Sequence, residues 1–176
     1  MTGHRVAINW MGQRVETLAD LFPKTPRAVC VGINPAPDSI AAGHYYQGRL
    51  GQRFFARLRE AGLIPPATTG FDDDAAVRRG IGFTDVVKRP TVNADLVSAA
   101  ELQHGAALLA ETLAQVGAPT LIFPFKKAAV ALVGRFDGNG WLDGAFAGSR
   151  LFVMPGPYES GHSASLTIST LLPGLS

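Results

Sequence analysis

An asparagine directly after an apolar run is the residue in this chain that is best placed to do chemistry. Residues 27–33 form the apolar run, which stops at Asn34, and a loop rich in glycine, proline and tyrosine follows up to residue 51. In α/β proteins, a buried strand that delivers a polar side chain to such a loop commonly builds a ligand site at the carboxyl edge of a sheet. Tyr45 and Tyr46 lie in this loop. An amide beside flat aromatic rings suits a planar heterocycle and a positioned water better than it suits a phosphate.

Several other kinds of site are excluded by the residues present. The chain has neither a Walker A pattern nor a Gly-x-Gly-x-x-Gly pattern, which removes the commonest signals of a nucleotide site. Its one cysteine, Cys30, excludes an internal disulfide, a cysteine zinc site and a cysteine-ligated iron–sulfur cluster, and we expect it to be an inert core residue. The four histidines are scattered along the chain. We therefore expect no metal site and no cofactor.

The composition favours one domain spanning residues 1–176. Hydrophobic residues make up 47% of the chain and charged residues 17%, which is enough to form a substantial core. A formal net charge of +2 permits a nucleic-acid partner but does not require one. Residues 1–13 carry no secretion signal, and no run approaches the roughly 20 apolar residues that span a bilayer. We expect a cytoplasmic protein with no membrane contact.

The elements that position Asn34 follow from hydrophobic periodicity. The pattern predicts strands at residues 27–33, 82–87, 119–124 and 150–154, and helices at residues 15–22, 52–61, 72–79, 98–115, 126–135 and 163–172. Ser98 and Glu101 have the spacing of a capping box. Residues 64–70 and the glycine-rich residues 136–148, with Trp141, are predicted loops. Strands that alternate with helices form βαβ units, so we expect a mostly parallel sheet covered by helices.

Three predicted loops, at residues 34–51, 88–95 and 155–162, each follow a predicted strand. Ligands of open α/β sheets bind outside the carboxyl ends of the strands. We therefore expect the three loops to gather at one edge of the sheet and to form the functional site there.

Five sequence blocks along the chain resemble those of a known family. They read GINP at residues 32–35, GHYY at 43–46, QRFF at 52–55, GFTDVVKRPT at 82–91 and VMPGP at 153–157. In this order they are similar to the mismatch-specific uracil/thymine DNA glycosylases of the uracil-DNA glycosylase superfamily. The resemblance runs from about Thr17 to the end of the chain. Tyr46 follows Asn34 by twelve residues, as the stacking aromatic of the family does, which makes the match specific.

The resemblance implies a three-layer α/β/α fold with a short, mostly parallel central sheet. It also implies hydrolysis of the bond that joins a uracil-like base to deoxyribose, without a metal or a cofactor. Asn34 matches the residue that positions the attacking water, and Tyr46 matches the aromatic that stacks on the extruded base. Asp85 matches a strand position that contacts the base edge in some members. Residues 155–162 match the loop that enters the duplex.

The chain departs from the family pattern at four places. Ala36 and Pro37 follow the Asn-Pro pair where the family usually has glycine, and the added bulk should narrow the mouth of the pocket. Gly156 stands where the family usually has a polar residue that stabilises the leaving base. One residue is inserted between Tyr46 and Gln52, and residues 158–162 differ from the leucine- and arginine-bearing loops of the family.

The residues fit the chemistry of this reaction. A uracil anion is a good leaving group, so hydrogen bonds to its carbonyl oxygens can replace the strong acid that sugar–sugar cleavage needs. We expect the backbone near Ile33, Ala36 and Tyr46 to bind the base, with Tyr45 beside it. Asp85 has three possible roles: accepting a bond from uracil N3–H, serving as a protonated group if buried, or acting as base on the water. Asp38 is a weaker alternative base.

The DNA contacts are expected at the same edge of the sheet. Tyr158 is the largest candidate to fill the gap that an extruded base leaves, and His162 is the second. The remaining predicted contacts of this loop are Gly156, Pro157, Glu159 and Ser160. The predicted phosphate contacts are Arg49, Arg53, Lys88, Arg89 and the backbone N–H of Ser163.

The leading hypothesis is a monomeric, cofactor-free glycosylase that removes uracil and other deaminated bases from DNA. Its expected partner is DNA that contains uracil or abasic sites, with no obligate protein partner. One rival is a protein that binds damaged or base-free DNA with little turnover, because Gly156 replaces a polar group. The other is an unrelated α/β enzyme, a hydrolase or transferase that acts on free nucleosides.

Overall fold

The computed structural model of this chain describes residues 3–66 and 70–175. The loop predicted over residues 64–70 therefore includes three positions, 67–69, that lie outside the described residues. The described strands form two sheets, a two-stranded hairpin near the N-terminus and a five-stranded main sheet.

The strands of the main sheet are β3 (Ala28–Gly32), β4 (Ile81–Asp85), β5 (Thr120–Phe123), β6 (Gly140–Phe146) and β7 (Ser149–Val153). They lie side by side in the order β4-β3-β5-β7-β6. Four of them pair in parallel, and β6 pairs antiparallel with β7 at one edge. Every residue of β3, β4 and β5 is buried, as expected for parallel strands with helices on both faces.

Six helices of the described chain surround this sheet. They are α1 (Pro37–Ala42), α2 (Arg49–Glu60), α3 (Asp72–Arg78), α4 (Ala99–Val116), α5 (Lys126–Val133) and α6 (Gly161–Ser169). Short 3₁₀ turns lie at Ala94–Leu96 and Leu172–Leu175. None of the helices in the described ranges combines the length and the apolar character that crossing a membrane requires.

The alternation of side chains along β3 separates two hydrophobic cores. Ala28 and Cys30 pack into a core shared with α2, α3 and α6, whereas Val29 and Val31 pack into a core shared with α4 and α5. Successive side chains of a strand point to opposite faces, so each face of the sheet has its own helical layer. The predicted three-layer α/β/α fold with a mostly parallel central sheet is confirmed.

The helix predicted over residues 15–22 is wrong. The structure has a β-hairpin there, formed by β1 (Arg5–Trp10) and β2 (Gln13–Leu18). Met11 and Gly12, which connect the two strands, both have positive φ, at 49° and 83°, as a tight two-residue hairpin turn requires. The apolar residues of this segment fit both helical and strand spacing, and the antiparallel partner upstream decides for the strand.

Two further elements replace predicted loops. Strand β6 occupies most of the glycine-rich segment 136–148, and a turn through Ala147 and Gly148, both with positive φ, returns the chain to β7. Helix α1 lies inside the loop predicted after Asn34. It begins with a proline and ends at Gly43, whose φ is 75°, the backbone shape that ends many helices.

The predicted capping box at the start of α4 is confirmed. Ser98 Oγ accepts a bond from the Glu101 backbone N–H, while the Glu101 carboxylate accepts one from the Ser98 N–H. The same carboxylate accepts two bonds from Arg89, at 2.7 Å from Nε and 2.8 Å from Nη2. Because Arg89 belongs to the segment that follows β4, this pair ties that segment to the first turn of α4.

The Arg89–Glu101 pair should make stability depend on acid pH. The hydrogen bonds that the Glu101 carboxylate accepts from Arg89, and those it accepts from Ser98, lower the pKa of Glu101 from 4.5 to about 2. The interactions that lower this pKa contribute their full stabilisation of the fold above pH 4.5, and the contribution disappears as the pH falls toward 2. We expect Glu101→Gln to reduce the free energy of unfolding by about 1–2 kcal/mol at neutral pH and by much less at pH 3, measured by urea denaturation. Glu111→Gln, an exposed change in the same helix, is the control; an equal loss at both pH values would contradict the assignment.

Candidate active site

A cavity of about 390 Å³ opens at the carboxyl ends of β3 and β4. Residues 32–36 and 45–46 form one side of it, and Thr91, Val92 and Ala94 form another. Its volume lies in the range of ordinary ligand sites, about 300–1,000 Å³. Two of the three predicted loops therefore meet here. The third lies beyond Phe125, which borders both this cavity and a smaller one that Gly156 and Pro157 line.

The amide of Asn34 is held in one orientation. Its Nδ2 donates to Arg89 O at 3.1 Å and to Thr91 Oγ1 at 2.7 Å. Thr91 Oγ1 donates its own hydrogen to Asn93 O at 2.8 Å, so it can only accept from Asn34. No residue in the described ranges donates to Asn34 Oδ1. The amide oxygen is therefore an acceptor available to a water or a ligand in the cavity that Asn34 lines.

The inner end of the cavity holds two polar atoms without partners. Gly32 and Asp85 are register partners on the parallel strands β3 and β4, so their side-chain positions share one face of the sheet. A Cβ at Gly32 would lie 2.2 Å from Asp85 Oδ1 and 3.1 Å from the Tyr46 hydroxyl. Both atoms are buried and have no hydrogen-bond partner within the described chain. Only a glycine at position 32 leaves room for this arrangement.

Burial changes the acid–base properties of both groups. It raises the pKa of Asp85 from 3.8 to about 7, with Lys88 acting in the opposite direction. Burial and the nearby Asp85 carboxyl raise the pKa of Tyr46 well above its ordinary value. Asp85 therefore changes its charge near neutral pH, where a proton acceptor is most useful, while Tyr46 keeps its hydroxyl proton.

The position of Tyr46 depends on a close contact with α2. Tyr46 has a φ of 56°, which is unusual for a residue with a side chain. A Cβ at Gly51 would lie 2.2 Å from Tyr46 O, so the missing side chain of Gly51 lets the two segments touch. The Tyr46 ring packs edge-on against Phe54 and Phe125, with centroid distances of 5.5 and 6.2 Å.

The neighbouring predicted base-binding residues have different environments. Tyr45 touches the cavity but is 1% exposed, and its hydroxyl donates to Ala19 O at 3.0 Å, so it is mainly a core residue. Ile33 and Ala36 line the cavity. Within the described chain, no group accepts a hydrogen bond from the backbone N–H of Ala36 or of Tyr46. Asp38 is exposed in α1 and does not line the cavity.

Residues 19–166 match the family model described as the uracil DNA glycosylase superfamily. The chain belongs to this superfamily. The resemblance found in the sequence is thereby confirmed at the level of the superfamily, which supports a DNA glycosylase, a hydrolase of base excision repair. The matched range contains β3, β4 and every cavity residue singled out above.

One face of α2 carries a row of arginines next to this cavity. Arg49 is exposed and lines the cavity, and Arg53 is exposed with its guanidinium 5.8 Å from the centre of the Tyr158 ring. One turn further along, Arg57 donates to Pro155 O and to Glu159 O. The spacing of four residues places all three on one side of the helix. Arg57 was not predicted as a functional residue, although its spacing from Arg49 and Arg53 was the available signal.

Two predicted phosphate contacts, Lys88 and Arg89, have partners inside the protein. Lys88 Nζ donates to Asp20 Oδ1 at 2.5 Å and to Thr84 Oγ1 at 3.1 Å. Arg89 is bound by Glu101 and also donates to Leu96 O at 3.0 Å. Both residues support the walls of the site rather than present free charges. The sequence could not show this because Asp20 and Glu101 are distant from them along the chain.

The loop at residues 155–162 is organised around Glu159. This carboxylate accepts bonds from Asn139 Nδ2 at 2.8 Å, from Ser163 Oγ at 2.7 Å and from the Gly156 N–H at 3.3 Å. The Ser163 N–H donates to Ser160 Oγ, so the phosphate contact predicted for Ser163 has no free donor. The Glu159 and Ser160 side chains likewise bind neighbouring residues of the protein, and their DNA contacts remain predictions.

The two large side chains that this loop presents outward are those of Tyr158 and His162. Tyr158 is 77% exposed, which is high for so large a ring, and His162 is also exposed. The structure therefore leaves both predicted candidates for insertion into DNA available, with Tyr158 the larger.

The structure also gathers side chains that the sequence left apart. His4, His44, Asp73 and Asp74 each bring one potential metal-binding atom within 4.8 Å of the others. The sequence predicted no metal site because these residues are far apart along the chain. None of the four lines the cavity that holds Asn34.

The raised pKa of Asp85 gives a test that requires no DNA. Between pH 3.8 and about 7 the unfolded chain releases a proton that the folded chain keeps, so burying Asp85 costs more stability as the pH rises through this window. We therefore compare the free energy of unfolding of Asp85→Asn with that of the wild type, measured by chemical denaturation. We expect the difference in favour of the variant to be about 2–4 kcal/mol larger at pH 8 than at pH 4. Asp143→Asn, at an exposed position, is the control, and a pH-independent difference for Asp85→Asn would refute the assignment.

Proposed function

We propose that this protein is a monofunctional DNA glycosylase that removes uracil from DNA by hydrolysing the N-glycosidic bond and leaves an abasic site. It acts as a cytoplasmic monomer without a cofactor. The observation that carries the proposal is the free Oδ1 of Asn34 in a cavity that also contains the unpaired Asp85 carboxyl and Tyr46 hydroxyl. Membership of the uracil DNA glycosylase superfamily supports the reaction class.

The first step is extrusion of the nucleotide from the duplex. Unstacking and unpairing a base costs roughly a few kcal/mol, and stacking on an aromatic ring returns about 1–3 kcal/mol per base. Tyr46 lines the cavity and is held in place by the contact of its backbone with Gly51. It is therefore the residue on which we place the extruded base, with the N–H groups of Ala36 and Tyr46 directed to its carbonyl oxygens.

Asn34 positions the water that attacks the sugar. Its Nδ2 is held by Arg89 O and Thr91 Oγ1, so Oδ1 can accept a hydrogen bond from the water without a reorientation of the amide. Fixing a nucleophile in this way replaces the entropic cost of a bimolecular encounter, an effect that can supply much of a rate enhancement. The departing base leaves as an anion, which hydrogen bonds from the backbone stabilise.

Asp85 accepts the proton of the attacking water. Its pKa of about 7 matches the requirement for a general base near neutral pH. Activity should therefore rise with pH through about 7 and reach a plateau as the carboxyl ionises. Recognition of uracil N3–H is the other role open to Asp85; loss of Asp85 would then raise KM with little change in kcat.

The exposed residues beside the cavity suit a DNA backbone. Arg49 lines the mouth, Arg53 lies beneath Tyr158, and both are exposed. Such contacts position DNA without reading its sequence. Tyr158 occupies the gap left by the extruded base, as apolar side chains do in other proteins that unstack DNA.

A binding protein with little turnover is the second candidate function. The observation in its favour is Gly156, which supplies no side-chain donor for the leaving base and whose N–H is bound by Glu159. A panel of uracil, mismatched thymine, hypoxanthine and xanthine in single- and double-stranded DNA, with free deoxyuridine beside it, separates the possibilities. Tight binding of abasic DNA without base release would favour the binder, and activity on deoxyuridine alone would favour a nucleoside enzyme.

The role of Asn34 predicts a selective loss of rate. We expect Asn34→Ala to lower single-turnover release of uracil by about 10²-fold or more, because the water loses its acceptor, while affinity for DNA changes little. Release from a labelled oligonucleotide is the measurement. Asn9→Ala is the matched control, because Asn9 lies in the N-terminal hairpin, where its Oδ1 accepts a hydrogen bond from the Gly12 N–H. Unchanged release by Asn34→Ala, in single- and double-stranded DNA alike, would show that this amide does not position the water.

The role of Tyr158 predicts a dependence on the duplex. We expect Tyr158→Ala to reduce uracil release from double-stranded DNA by about 10-fold and to leave release from single-stranded DNA nearly unchanged. The reason is that extrusion of a base leaves a gap between stacked base pairs only in a duplex. Tyr158→Phe keeps the ring and should retain activity on both. Equal losses on the two substrates would argue against insertion of this side chain.

A further inference from the structure

Four side chains outside the catalytic cavity form what we term the His–Asp cluster: His4, His44, Asp73 and Asp74. They come from three separate segments, namely the residue before β1, the turn after α1 and the first turn of α3. One nitrogen or oxygen from each lies within 4.8 Å of the other three. Two imidazoles and two carboxylates make up a donor set typical of first-row transition metals.

The distances within the cluster fit a metal after small movements. His4 Nε2 lies 2.8 Å from Asp74 Oδ1, and His44 Nδ1 lies 3.0 Å from Asp73 Oδ1 and 3.9 Å from Asp74 Oδ2. Zinc binds nitrogen and oxygen at about 2.0–2.2 Å, which separates tetrahedral ligand atoms by about 3.4 Å. The observed separations lie on both sides of this value.

The charges of the cluster call for a cation. Asp73 is fully buried, and in the described part of the chain no lysine or arginine forms an ion pair with Asp73 or Asp74. The neighbouring Asp72, by contrast, is paired with Arg59 at 2.7 Å. A buried carboxylate without a full countercharge is costly. One divalent ion among the four side chains would supply this positive charge.

The backbone holds these ligands in place before any ion arrives. The His4 N–H donates to Gly43 O at 2.7 Å. The segment before β1 and the turn after α1 touch at Gly3, where a Cβ would lie 2.5 Å from the same oxygen. The His44 ring is stacked on Phe71 with the centroids 3.5 Å apart. Asp73 Oδ2 accepts a bond from the Tyr45 N–H at 2.8 Å. A site that is already ordered loses little entropy on binding.

We propose that the His–Asp cluster binds one divalent transition-metal ion of the zinc class, through His4, His44, Asp73 and Asp74. The two imidazole ligands favour such an ion over calcium and magnesium, which prefer oxygen ligands. The bound ion joins the N-terminal hairpin and α3 to the turn that precedes Tyr45 and Tyr46. It therefore stabilises the wall of the catalytic cavity without taking part in the reaction, and the proposal does not depend on the substrate.

The test uses the full chain after removal of metal with a chelator. Zinc chloride is titrated by calorimetry, and cobalt chloride is titrated while visible absorption is recorded, because four-coordinate cobalt with nitrogen and oxygen ligands absorbs strongly. We expect one ion per chain, a dissociation constant in the micromolar range or below, and a rise in Tm with zinc concentration. Hydrogen exchange at residues 43–46 should slow when zinc is added.

Two variants that leave the buried pair intact make the test specific. His4→Ala and Asp74→Asn remove ligands whose side chains are 27% and 36% exposed, so the fold should persist, as circular dichroism can verify. We expect each to weaken zinc binding by at least 10-fold and to abolish the cobalt absorption band. His104→Ala and Asp143→Asn, at exposed positions outside the cluster, should bind as the wild type does.

Three results would overturn the proposal. These are no binding by the wild type below millimolar zinc, equal binding by the wild type and both cluster variants, and a fractional or multiple stoichiometry that His104→Ala changes as much as His4→Ala. The first of these would mean that the four side chains bind only one another. Glycosylase assays do not enter the comparison, so failure here is distinct from failure of the proposed activity.

Discussion

Gly32 and Asp85 face each other across two parallel strands, and the missing side chain of Gly32 creates the space on which the site depends. The parallel pairing of β3 with β4 fixes which residue stands opposite position 32. Into the space left there come the Asp85 carboxyl and the Tyr46 hydroxyl, both buried and both without partners in the described chain. A shift of the register by one residue would turn Asp85 toward α4 and α5 and remove the polar end of the cavity.

Keeping such groups unpaired is energetically unfavourable, and the rest of the fold has to offset the cost. Two hydrophobic cores, one on each face of the sheet, hold β3 and β4 at fixed positions. The polar residues around the site are, in contrast, well satisfied: Lys88, Arg89 and Thr91 each bind a partner within the protein. Of the five buried side-chain polar atoms without partners in the described chain, Asp85 Oδ1 and the Tyr46 hydroxyl are the two that lie at this cavity, where a ligand edge can supply the missing hydrogen bonds.

The sequence alone predicted the part of the site that depends on local patterns. Asn34, Tyr46 and Asp85 all line the cavity. The positions of Asn34 at a strand end and of Tyr46 in the loop after it are local features, whereas Asp85 was singled out by the resemblance to the family. The central sheet and α4 were likewise predicted from local patterns. The N-terminal hairpin and β6 were missed because short segments with mixed spacing or many glycines take their structure from their pairing partners. The partners of Lys88 and Arg89, and the meeting of His4 with Asp74, depend on contacts between distant segments.

Helix α2 connects the parts of the surface to which we assign the DNA contacts. Gly51 in its first turn supports Tyr46, Arg53 lies beneath Tyr158, and Arg57 holds the backbone of Pro155 and Glu159. From Arg49 to Arg57 such a helix rises about 12 Å and bends little. Helix α2 therefore holds Tyr46 and Tyr158, to which we assign stacking and insertion, at a fixed separation. In the proposed reaction, this separation sets the distance along a strand between the extruded nucleotide and the refilled gap before DNA arrives.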